Sequence, residues 1–245
     1  MDKDEVLAWL EKKGTRSTVE GMARYGIAAK HAFGVTMATL QTLAKQLGKD
    51  HALAVALWDT RWYEARLLAA LIGDPKQVTR RQMDAWAKGF ENWADCDTVC
   101  FKLWDRTPFA CEKVHQWATS PREFVKRGAF ALMACLALHD KAASDEQFLD
   151  LLPLIEEGAQ DDRNFVKKGV NWALRSVGRR NPLLNATAVA VAKRLSMSEK
   201  AAPRWVGKDA LRELLSPKVR AQLTRRAHAA AAPKSDEKKR KRAKR

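Results

Sequence analysis

The sequence is poor in the residues that build sheets, cradle phosphates or bind metals. Of its 245 residues only 12 are glycine and 8 proline, and β-branched runs are scarce, which argues against a chain of many short strands and tight turns. No phosphate-cradling glycine loop and no conventional nucleophile–base motif occurs, so neither a nucleotide-binding loop nor a triad hydrolase is indicated. The four cysteines, Cys96, Cys100, Cys111 and Cys135, form no Cys-x-x-Cys pair. Cys96 and Cys100 are one helical turn apart, but no histidine stands in ligand register with them. Free, buried thiols in a reducing compartment are the main reading, and a zinc site the minor one. His31, His51, His115, His139 and His228 are scattered, so no metal and no cofactor is expected. No apolar run approaches the roughly 20 residues of a membrane span. Met1-Asp2-Lys3-Asp4-Glu5 lacks the apolar stretch of a signal peptide, so a cytoplasmic protein away from membranes is expected.

What is abundant is alanine, leucine, lysine, arginine and glutamate, the residues that favour helix. Hydrophobic residues make up 46% and charged residues 30%, a globular composition long enough to bury a sizeable core. The net charge is +16 and the pI about 9.9, which points to a polyanionic partner. From Pro233 onward eight Lys and Arg stand against Asp236 and Glu237, a net +6, leaving +10 of the +16 on the remaining chain. The body is basic in its own right. The tail, 231–245, reads as disordered beside a single domain over 1–230, and serves either as a nucleic-acid arm or for solubility.

Apolar spacing predicts helices over 3–13, 36–47, 51–57 and 61–72, with breaks at Gly14 and Ser17, a stop at Gly48 and another at Gly73-Asp74-Pro75. Further helices are expected over 182–195, 198–215 and from Ser216-Pro217 to about Ala230. A repeat runs through this pattern. Trp62 to Ala69, Phe124 to Ala131, Phe165 to Trp172 and, more weakly, Trp205 to Arg212 each show an aromatic, an aliphatic, two polar or basic positions and then a small-residue helix. Phe124 and Phe165 are 41 residues apart, Phe165 and Trp205 are 40. A period near 40 built of helix pairs indicates an all-α superhelical solenoid of HEAT-like repeats, in which each pair buries its face by stacking on its neighbours. Lys126 and Arg127, Lys167 and Lys168, and Lys208 recur near the starts of equivalent helices. Equivalent positions of a solenoid line one surface, so these cations are expected to form a stripe suited to a phosphate backbone. A set of solvated lysine faces is the plain alternative.

One stretch stands apart. In Asn92-Trp93-Ala94-Asp95-Cys96-Asp97 the helical spacing puts Trp93 and Asp97 on one face and turns Asp95 elsewhere. A carboxylate beside an indole can stabilise a developing cation while the ring holds a flat or sugar-like group. The plain alternative is a core tryptophan with a solvated or capping aspartate. Trp172 stands where other repeat copies carry a small residue, and Arg175 follows it by about one turn.

Taken together, these residues resemble the DNA alkylation repair family, the AlkD-like HEAT-repeat DNA glycosylases, over roughly residues 20 to 215. The likeness rests on Tyr25 with Phe33-Gly34-Val35, on Trp62-Tyr63-Glu64-Ala65-Arg66, on Asn92 to Asp97, on Phe124-Val125-Lys126-Arg127-Gly128-Ala129, and on Asn171 to Arg175 with Asn181-Pro182. It departs from more familiar members at the N-terminus, in the basic tail, and in Asn92 and Ala94 beside the tryptophan. The resemblance implies excision of positively charged N3- and N7-alkylated purines from duplex DNA by a monomer associated with the nucleoid, without a base-flipping pocket. It assigns Trp93, Asp97 and Trp172 to the lesion's sugar. Arg127, Lys126, Lys167, Lys168, Arg175, Lys208 and Tyr25 then serve DNA binding. Two other functions share parts of the pattern: a HEAT scaffold that binds distorted DNA without catalysis, which needs no Asp97, and a protein-interaction solenoid, which needs no affinity for duplex DNA.

Overall fold

The computed structural model describes residues 1–231, with side chains to 227, so the basic-tail reading lies outside the described residues. Fourteen α-helices and no strand are found among them: α1 (Lys3–Lys13), α2 (Arg16–Met22), α3 (Met37–Leu47), α4 (His51–Asp59), α5 (Tyr63–Ile72), α6 (Arg80–Lys88), α7 (Trp93–Lys102), α8 (Ala110–Trp117), α9 (Glu123–His139), α10 (Asp145–Gly158), α11 (Asn164–Gly178), α12 (Pro182–Ser196), α13 (Ala201–Leu214) and α14 (Pro217–Ala231). The chain is a superhelical solenoid of HEAT-like repeats. Helices α3, α5, α7, α9, α11 and α13 pack in succession as one layer, and α4, α8, α10 and α12 back them as the other. Stacking the layers buries one continuous core, as repeat helices with a single apolar face require. The centre is α9, where every residue from Arg127 to Ala137 is buried, Phe130 and Leu132 completely.

Local signals explain most boundaries. Thr36, Asp50, Thr79, Asn92, Ser144 and Asn181 each accept a backbone N–H of the first turn and start α3, α4, α6, α7, α10 and α12. Gly48 ends α3 at φ 73°, a conformation that costs other residues a Cβ clash. Several points differ from the sequence expectation, among them the start of α13, at Ala201 rather than 198, and the end of α4, at Asp59 rather than 57. Thr15 caps an extra helix, α2, where a break is expected. Arg61 adopts φ 63°, so α5 begins two residues later, at Tyr63. The fourth repeat copy is slipped: Phe124 and Phe165 are second in their helices, whereas Trp205 is fifth in α13. Lys208 therefore sits a turn further into its helix than Lys126 or Lys167.

The N-terminal segment is strapped across the first repeats. Glu64, fully buried, accepts the backbone N–H groups of Phe33, Gly34 and Val35 at 2.9, 2.7 and 3.2 Å. Phe33 stacks on Trp62 with centroids 3.9 Å apart. Two motifs that are separate in the sequence are thus one contact.

Candidate functional site

Helix α7 begins with a reciprocal cap. Asn92 accepts the N–H groups of Ala94 and Asp95, and Asp95 reaches back to the N–H groups of Glu91 and Asn92 at 3.0 and 3.3 Å. Asp95 is 1% exposed, with Arg66 at 3.7 Å. Burial pushes its carboxyl up to about 6, against those hydrogen bonds and the Arg66 charge. The expectation that Asp95 faces away from Trp93 therefore has a physical cause: it is the N3 member of the cap. Asn-x-x-Asp ahead of an apolar run is a readable sign of this.

Asp97 has a different environment. Both its oxygens accept from Arg127 of α9, Nε at 2.9 Å and Nη2 at 2.7 Å, while Arg127 Nη1 donates to the Phe165 carbonyl of α11 at 2.7 Å. One guanidinium ties α7, α9 and α11, three neighbouring helices of one layer. Its centre lies 5.9 Å from the Trp93 ring centroid, so Trp93, Asp97 and Arg127 share one face. The indole is fixed from its edge, Nε1 donating to the Tyr25 carbonyl at 2.9 Å. Gly26 follows at φ 68°, and a Cβ there would lie 3.3 Å from Phe165. The phenol of Tyr25 is exposed. Asp97 keeps 17% of its side chain open to solvent, yet burial raises its carboxyl above the ordinary aspartate value, with the Arg127 charge and hydrogen bonds pulling it back.

The group that closes on Asp97 is thus a guanidinium. Trp172 sits half-buried on α11, packed against the core one turn beyond Lys168. The cations of the expected stripe divide into pinned and open. Lys126 is held by Asp161 at 3.0 Å, and Asp161 is kept well below the usual carboxylate range by hydrogen bonds from Arg163 and Lys126. Arg175 is held by Glu213 at 2.6 Å. Lys167 lies over the Trp205 ring at 5.3 Å. Lys168 and Lys208 are exposed. Neighbouring residues diverge because successive helical positions turn by about 100°.

Cys96, Cys100 and Cys135 are buried free thiols, and Cys111 is a half-buried one. Burial raises all four, and Cys96 and Cys100 point at the Phe124 and Gly128 carbonyls of α9. Among the described residues no three His, Cys, Asp or Glu gather as metal ligands would, and no helix is long and apolar enough to cross a membrane. Sequence reasoning gives no role to Glu64 or Arg66, which position the site from α5; the signal, two charges inside an apolar helix, is present.

Comparison with known proteins agrees with this architecture. A solved structure from a new family of proteins related to the HEAT-like repeat DNA glycosylases, with affinity for branched DNA structures, matches at 23% identity and a TM-score of 0.72, covering 87% of this chain and 96% of that one. At that identity the likeness establishes the fold. A designed armadillo repeat protein matches at 17% identity over 67% of this chain and 64% of its own, with a TM-score of 0.26, too low to bear on the argument. No curated protein matches. The family profile described as DNA alkylation repair enzyme matches residues 6–214, most of the chain and all of the site above. The chain belongs to the DNA alkylation repair enzyme family.

Proposed function

We propose that this protein is a monomeric DNA N-glycosylase, folded as one domain over residues 1–230, that removes cationic N3- and N7-alkylated purines from duplex DNA. The observation that carries the reading is the Trp93–Asp97–Arg127 constellation at the seam of α7 and α9. An alkylated, positively charged purine departs as a neutral base, so its N-glycosidic bond breaks without a strong general acid. Positive charge then builds on the deoxyribose. A carboxylate at that sugar stabilises the oxocarbenium-like state and orients the attacking water. The π-face of Trp93 adds to that stabilisation, with Trp172 of the next layer helix as a second wall. Capture from the backbone side needs no pocket for a flipped base.

The Arg127 pair gives this mechanism a control. While the guanidinium holds both oxygens of Asp97, the negative charge is largely cancelled. A DNA phosphate beside the lesion is an alternative bidentate partner for the same guanidinium. Arg127 turned to phosphate leaves Asp97 unpaired only when DNA is bound. Lys168 and Lys208 are open for neighbouring phosphates. Lys126 and Arg175 reach DNA only by leaving Asp161 and Glu213.

The test is base release from duplex DNA carrying 7-methylguanine or 3-methyladenine. Asp97→Asn keeps the shape, and is expected to lose most excision while binding is retained. Excision at the wild-type rate in that variant would remove Asp97 from the chemistry. The same bidentate pair favours a second reading, a scaffold that binds distorted DNA with Asp97 permanently structural. The affinity for branched DNA described for the solved relative fits it. Wild-type protein that binds alkylated or branched DNA tightly and releases no base would establish this second function.

A further inference from the structure

Helices α11 and α13 face each other through three rungs, each joining residues 38 apart: Lys167 to Trp205, Asn171 to Asp209, and Arg175 to Glu213. Residues 167, 171 and 175 form one stripe of α11, and 205, 209 and 213 one stripe of α13. The two inner rungs are closed. Asn171 donates to Asp209 at 2.7 Å and Arg175 to Glu213 at 2.6 Å, with Arg179 and Arg212 completing the network. The outermost rung is open. Trp205 is 39% exposed, with the Lys167 ammonium 5.3 Å from its ring centroid. A singly exposed apolar residue needs no explanation, but this indole lies among cations. Lys208 is exposed on the same face one turn further. The start of α13 carries no acidic residue in its first turn and no side-chain cap, so that helix end adds positive potential nearby.

We propose that Trp205 and Lys167 form a station for an unpaired nucleotide, the base stacking on the indole and its flanking phosphates meeting Lys167 and Lys208. The site lies on the repeat beyond α11 and takes no part in the Asp97 chemistry. It rests on DNA being the partner, as read above. An exposed aromatic face with cations around it binds bases of any sequence, because every base has a π-face. Paired bases inside a duplex offer no free face, so the station selects single-stranded or extruded nucleotides.

The experiment uses the full chain and two fluorescent probes, a blunt DNA duplex and the same duplex with a single-stranded overhang. Wild type is expected to prefer the overhang. Trp205→Ala should weaken overhang binding about ten-fold and change blunt-duplex binding less than about two-fold. Trp205→Phe should restore most of the loss, which separates stacking from a folding defect, and Lys167→Gln should weaken overhang binding by a smaller factor. Equal losses on both probes, or none, would overturn the station while leaving DNA as partner. A wild type that binds neither probe would overturn both.

Discussion

Helix α7 carries two aspartates two residues apart, and they have opposite characters. Asp95 is answered by the main chain: three N–H groups, of Glu91, Asn92 and Cys96, converge on it inside the core. Asp97 is answered only by a side chain, the Arg127 fork. Backbone donors cannot leave without unwinding the helix start. A guanidinium on three or four rotatable bonds can. An acid held by amides is therefore part of the fold, while an acid held by an arginine can be exchanged for another partner. Arg66 sharpens the contrast, since it lies 3.7 Å from Asp95 but donates to the Gly89 carbonyl, stands closer to Glu91 at 3.4 Å, and stacks its guanidinium over the Trp58 ring.

The strongest way to break this comparison is to neutralise each acid in turn. Asp97→Asn is expected to lower excision of a cationic alkylpurine by about 100-fold or more, the scale of removing one electrostatic stabiliser, with little change in duplex affinity. Asp95→Asn should leave excision by the folded protein near wild type and instead weaken the start of α7 by about 1 kcal/mol, as loss of a cap does. Comparable excision losses in the two variants would erase the distinction.

Removing the arginine comes next. Arg127→Met strands a largely buried carboxylate, and breaking such a pair from one side costs about 3–5 kcal/mol. The double variant Asp97→Asn, Arg127→Met should recover much of that in urea unfolding. A double variant as unstable as the sum of the two singles would mean that the pair is not coupled.

Titration separates the two acids more gently. The Asp95 carboxyl is raised from its ordinary 3.8 to about 6, so the native state holds this proton more tightly than the unfolded chain does. Its contribution to stability is fully present below the ordinary value and is lost as pH rises through about 6. Unfolding free energy followed from pH 4 to 7 should therefore show a falling component that Asp95→Asn abolishes. Asp97 is also raised by burial. Excision that needs its carboxylate should decline on the acid side at a higher pH than an ordinary aspartate gives, and Asp95→Asn should not move that limb.

The repeat architecture is legible because its signals are local and recurrent: caps at Thr36 and Asp50, a stop at Gly48, an aromatic every 40 or so residues. The shared face of Trp93 and Asp97 is legible for the same reason, as a matter of helical spacing. Arg127 is found by resemblance, but its position on Asp97, 30 residues away, depends on how α7 stacks on α9. No spacing rule encodes that register. Glu64 is hidden because its partners, Phe33 to Val35, donate through the backbone, which has no residue signature. The slip of the fourth repeat at Trp205 lies beyond pattern reading, since three residues of phase change no composition.

The smallest effects test whether the pinned-versus-open distinction extends to the cations. Lys168 is exposed, whereas Lys126 is tied to Asp161, whose carboxyl is held far below its usual range by hydrogen bonds from Arg163 first and Lys126 second. A free lysine meeting a phosphate releases about one counterion and contributes about one unit to the salt slope of DNA binding. A lysine that must first leave a carboxylate gains little, because the acid it exposes repels the same phosphate. Lys168→Ala should therefore reduce the slope by about one and weaken binding a few-fold at low salt. Lys126→Ala should leave the slope nearly unchanged, and in removing a charge that masks Asp161 lower affinity only slightly. Equal slopes lost in both variants would show that ion pairs on this face dissolve freely on contact with DNA, and the release of Asp97 from Arg127 would then need no phosphate placed beside the lesion.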